Sequence, residues 1–161
     1  MVRRKALAQR IRQEINDLEQ TVSIVVRHWQ RIDLETGDQD AFLNSVALNV
    51  HSFYNCFERL MELIAVEMDG GKLGGAMWHS ELIRQMALEL PAVRPAVLTT
   101  ETGNYLDEYR KFRHRIRNIY ATHLEASRME HLVTALPSVW QQARTELLGF
   151  ADFLERLEEN G

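Results

Sequence analysis

One cysteine, three prolines and eight glycines are all that the 161 residues hold of these types, and each scarcity narrows the reading. The lone Cys56 cannot close an internal disulfide, which fits a reducing compartment, and its apolar helical surroundings favour packing over nucleophilic work. So few helix breakers over this length point to long helices. Long apolar runs are missing too: a run such as Ile24–Val26 falls far short of the ~20 residues that a membrane span needs. The opening MVRRKALAQRIRQEI is basic and then amphipathic, without the apolar centre of a signal peptide, so a soluble, cytoplasmic protein is expected. Nor is positive charge in excess. A formal net charge of −4 argues against a general nucleic-acid coat and confines any RNA contact to a local patch.

What remains is ordinary for a globular chain, with 45% hydrophobic and 26% charged residues, enough for one domain over 1–161 with its own core. Leu7, Ile11, Ile15, Leu18, Val22, Val25, Trp29 and Ile32 recur at steps of three and four and predict a first helix within 1–35. Asp38 is placed to cap a second over 38–68, with Leu43, Val46, Val50, Phe53, Phe57, Leu60 and Ile64 on its inner face. A short polar turn between the two predicts an antiparallel hairpin, and the large residues Phe42, Phe53, Tyr54 and Phe57 favour a wide core over a two-stranded coiled coil.

GGKLGG then marks a connector over 69–75; it lacks the Ser or Thr after Lys72 and the preceding strand of a phosphate loop. A short helix is predicted over 76–90, closed by Pro91, a basic helix over 99–122, and a last helix over 137–159 that starts at Pro137 and turns Trp140, Ala143, Leu147, Phe150, Leu154 and Leu157 inward. No stretch alternates at period two. The fold expected is all-α, an up-and-down bundle of four to five helices. His28, His51, His79 and His131 have no ligand spacing, and His79-Ser80-Glu81 lacks the Pro-Cys-x-x-Cys of a zinc deaminase, so no metal and no cofactor are expected.

The chemistry concentrates in Tyr105 to Glu125. Between Tyr109 and Tyr120 lie Arg110, Lys111, Arg113, Arg115, Arg117 and His114, with no acid. On a helix, Tyr105, Tyr109, Phe112, Ile116 and Ile119 share one face, and Arg113, Arg117 and Tyr120 line its edge as a partly buried anion-binding row. The plainer alternative is that these cations are solvated, or that Arg113 and Arg117 pair with acids such as Asp107 or acids of another helix.

Arg113, Asn118 and Tyr120 resemble the signature of HepT-like toxins of the HEPN superfamily, in which an Arg, a polar neighbour, a His four to six residues on and a nearby Tyr form the active site. The resemblance extends over Trp78 to Tyr120, through a Trp-His-x-x-Leu helix and an Arg-Pro turn. It implies a HEPN bundle, a homodimer, a minimal nucleotidyltransferase-type antitoxin as partner, an RNA substrate, and Tyr120 as a residue the partner could modify. Metal-free RNA cleavage needs a proton acceptor for the 2′-hydroxyl, a donor for the leaving oxygen and cations for the phosphorane. Arg113 and Arg117 suit the cationic role, with Arg110, Arg117 and His123 as substrate contacts.

This chain, however, has Asn118 where that family has His, and an amide cannot exchange a proton. His114, beside Arg113 and one turn from Asn118, and His123, six residues after Arg117, are the two replacements on this segment. Arg113 and Asn118 stand about 140° apart on an ideal helix, so a compact site would need a distorted helix end or a second subunit. Three readings stay open: an endoribonuclease toxin, a degenerate subunit binding RNA, nucleotide or its partner through the same basic helix, and a purely structural helical dimer.

Overall fold

The computed structural model describes residues 2–34, 37–71, 75–116 and 125–160. Among them the regular structure is helical: α1 (Val2–Ile32), α2 (Gln39–Ile64) running into a π-turn (Ala65–Asp69), α3 (Trp78–Met86), α4 (Thr100–Ile116), a 3₁₀ turn (Ala126–Arg128) and α5 (Glu130–Glu159). This is an all-α bundle. α1 packs against both α2 and α5, and α4 sits on α2 and α3.

The apolar stripes read from the sequence are the ones that meet. Leu7, Ile11, Ile15, Leu18, Val22 and Val25 of α1 are buried against Val46, Val50, Phe53, Phe57, Leu60 and Ile64 of α2. The core widens where Phe53 meets Tyr109 of α4 and Trp140 of α5, with ring centroids 5.7 and 6.1 Å away. Tyr109 also donates its hydroxyl to the Leu132 carbonyl at 2.7 Å and so ties α4 to α5. Cys56 donates to Glu14 across the α1–α2 seam at 3.1 Å; burial and that carboxylate push its thiol up to about 12, which leaves it unreactive at neutral pH.

Two boundaries and one helix face differ from the sequence reading. α5 begins at Glu130, and Pro137 lies inside it. Leu132, Val133, Leu136 and Val139 are all buried, and at about 1.5–3 kcal/mol each their burial outweighs the ~3 kcal/mol of an interior proline. α3 stops at Met86 instead of reaching Pro91. There the buried Arg94 guanidinium donates to the carbonyls of Gln85 (3.0 Å), Leu88 (2.8 Å) and Pro95 (3.0 Å), and pairs with buried Asp69 through two bonds of 2.7 Å. One side chain thus takes carbonyls that a longer helix would have used, and it anchors the Gly-rich connector through Asp69.

The inner face of α4 is the third difference. Thr102, Leu106, Tyr109, Phe112 and Arg113 are buried, whereas Tyr105 is 41% exposed. The helix is set in this rotation from its start. Thr99 accepts a hydrogen bond from the Thr102 amide at 3.2 Å as a cap, and Glu146 of α5 accepts from the Thr102 hydroxyl at 2.6 Å.

Candidate functional site

The rotation of α4 divides the basic segment between two environments. Arg113 points inward and is 7% exposed, while His114 and Arg115 lie on the exposed side and Arg110 is half-buried. Arg117, Asn118, Tyr120 and His123 lie outside the described residues, so the expectations placed on them carry no geometry here. The positive charge of the segment is already partly met. Arg110 pairs with Asp107 at 2.7 Å, and Lys111 lies 3.5 Å from Asp107 and 3.3 Å from Glu108. Asp107 therefore serves these two cations, and the partner of Arg113 comes from another helix.

That partner is Glu58 on α2, itself 6% exposed. Arg113 Nη1 donates to Glu58 Oε1 at 2.9 Å and Nη2 to Oε2 at 3.2 Å, the two-pronged geometry in which a guanidinium matches a carboxylate. Nη1 also reaches Asn55 Oδ1 at 2.8 Å, and the guanidinium carbon sits 4.6 Å from the centre of the Tyr54 ring. Asn55 in turn donates to His51 Nε2 at 2.8 Å, one turn earlier on α2.

Glu58 accepts more than the arginine. The Tyr54 hydroxyl donates to Oε2 at 2.9 Å, and His79 Nδ1, brought in by α3, lies 2.9 Å from the same oxygen. Burial pushes the Glu58 carboxyl up, but the hydrogen bonds from Arg113 and His79, the arginine's charge and the tyrosine together hold it below the usual carboxylate range. Tyr54, buried next to that charge, is pushed up and stays a protonated donor.

His79 Nδ1 also lies 3.2 Å from Arg113 Nη2. The ring nitrogen cannot serve both neighbours, because an ionised carboxylate only accepts and a guanidinium only donates. The shorter, charge-assisted contact to Glu58 decides it: Nδ1 carries hydrogen, and in the neutral ring the lone pair is on Nε2. The side chain of His79 is 37% exposed, and the indole of Trp78 lies against the ring with centroids 3.6 Å apart. A solvent-reaching imidazole and a guanidinium thus share one buried carboxylate where α2, α3 and α4 meet.

The sequence reading singled out Arg113 but missed Glu58, Tyr54 and Asn55, and it set His79 aside. A signal was there. Glu58 lies on the buried side of α2, four residues after Tyr54 and beside Phe57, where an acid is tolerated only with a partner. Among the described residues no group of three His, Cys, Asp or Glu side chains is placed to hold a metal ion, and no helix is long and apolar enough to cross a membrane.

A family model described as HepT-like protein matches residues 45–154, which includes Glu58, His79 and Arg113 and leaves all of α1 outside. No curated protein and no solved structure matches the chain.

Proposed function

Because the chain belongs to the HepT-like family of the HEPN superfamily, we propose that it is a metal-independent endoribonuclease, the toxin of a type VII-like toxin–antitoxin pair acting on RNA such as tRNA or mRNA. The observation that supports this most is the contact between His79 and Arg113 over Glu58. It puts a group able to exchange a proton 3.2 Å from a fixed cation, inside the family-matched region. In this reading the protein works in the cytoplasm as a homodimer and is restrained by a minimal nucleotidyltransferase-type partner. Arg117 and Asn118 join Arg113 and His114 in the site, Arg110, Arg117 and His123 hold the RNA, and Tyr120 is the position the partner modifies.

The test is incubation of the purified protein with total RNA and with tRNA in the presence of a chelator, beside His114→Ala and Arg113→Ala, all below their unfolding temperatures. Discrete cleavage by the wild type, lost with Arg113→Ala, is the expected result. One observation favours a second reading. Two Arg113 nitrogens are already bonded to Glu58 and Asn55, which leaves that guanidinium little to offer a phosphate. A degenerate subunit that binds RNA, nucleotide or its partner would give binding without cleavage in the same experiment.

A further inference from the structure

We propose that His79 is the catalytic base of this site and that Glu58 is its positioning residue. The assignment rests on the ribonuclease reading and deepens it, because it names the group that takes the proton Asn118 cannot take. Three features of the geometry converge. The Glu58 carboxylate fixes the imidazole through Nδ1 at 2.9 Å, so the neutral ring has its basic nitrogen at Nε2. Trp78 lies along the ring, so its plane is held from a second side. The His79 side chain is 37% exposed where its carboxylate is 8% exposed, so the imidazole reaches solvent while the orienting contact stays inside.

The step balances without a further reactant. Nε2 of His79 takes the 2′-hydroxyl proton as the 2′-oxygen bonds to phosphorus. The bond from phosphorus to the 5′-oxygen breaks, giving a 2′,3′-cyclic phosphate and a 5′-oxygen that takes a proton from water. The imidazolium returns its proton to the hydroxide so formed, and the net change is one proton moved from the 2′- to the 5′-oxygen. Glu58 stabilises the transient imidazolium, as a buried carboxylate does for a histidine it orients.

The experiment compares single-turnover cleavage of tRNA by the wild type, His79→Ala, His79→Gln, His114→Ala and His131→Ala, the last being an exposed residue of α5 outside the cluster. A 2′-deoxy-substituted oligonucleotide measures binding. His79→Ala is expected to cut about 10²–10⁴-fold more slowly with unchanged binding, and added imidazole to restore part of the rate. His79→Gln can still donate to Glu58 but cannot exchange a proton, and is expected to be equally slow. His131→Ala keeps the wild-type rate. Cleavage at the wild-type rate by both His79 variants overturns the assignment and leaves the ribonuclease reading standing, with His114 implicated if its variant alone is slow. A slow His79→Ala that imidazole does not restore and that melts earlier is structural, and also overturns it. RNA left intact by the wild type removes the activity and the assignment together.

Discussion

Removing the Arg113 guanidinium leaves Glu58 buried on α2 with, among the described residues, Tyr54 and His79 to donate to it. Breaking a buried pair from one side typically costs about 3–5 kcal/mol, far more than the pair's net worth, because the remaining charge is stranded. Arg113→Ala is therefore expected to lose about 3–5 kcal/mol in urea unfolding, and a loss below about 1 kcal/mol would show that Glu58 does not depend on the arginine. The same carboxylate gives a pH dependence with a definite sign. Its native form binds a proton less readily than the unfolded chain, so its contribution is fully present above the ordinary glutamate value of about 4.3 and is lost as pH falls through the lower native value. Melting curves of the wild type and Glu58→Gln should be widest apart near neutral pH and converge on acidification; a gap that is constant from pH 7 to pH 3 would contradict this. Arg113 was legible in the sequence as a residue of consequence, but its orientation was not. Local spacing set it at the edge of a stripe, whereas a partner 55 positions earlier in the chain draws it inside.

Helices α3 and α4 bring His79 and Arg113 together, and Gly103 sets how closely they pack. A Cβ added there would meet Ile83 Cγ2 at 3.3 Å, tight but open to adjustment by one methyl group. A larger side chain has no such room. Gly103→Leu is expected to cost about 1–3 kcal/mol by overpacking and, since it pushes α3 off α4, to reduce RNA cleavage at temperatures where the variant is still folded. A fully active Gly103→Leu would mean that the spacing of the two helices does not matter to the site. The elements differ in how far the sequence revealed them. α1 and α2 were readable because uninterrupted apolar periods of this length fit only a helix. The start of α5 was not, because Pro137 has the local form of a helix start and only the burial of Leu132, Val133 and Leu136 against other elements overrides it. The end of α3 was misplaced for a related reason: Arg94 captures its carbonyls from beyond the turn.

Across the whole molecule, α1 packs along both α2 and α5, and Phe53, Tyr109 and Trp140 join α2, α4 and α5 in the core. That frame holds Glu58 in place while α3 and α4 deliver the histidine and the arginine. The chain carries a net charge of −4 and Arg110 and Lys111 already face Asp107 and Glu108, so the proposed RNA contact would have to be local. The fold class was legible from composition and period alone, because scarce breakers and strong three-to-four spacing admit little else. The site was legible only in part, since its carboxylate, its histidine and its arginine come from three helices that no local pattern connects. If the protein cleaves RNA through the RNA's own 2′-hydroxyl, as proposed, the end chemistry of fragments made by the wild type under chelation reports it most directly. The expected fragments carry 2′,3′-cyclic phosphate and 5′-hydroxyl ends, with no cut at a position made 2′-deoxy. Uncut RNA, or 5′-phosphate ends formed only when divalent metal is added, would contradict it.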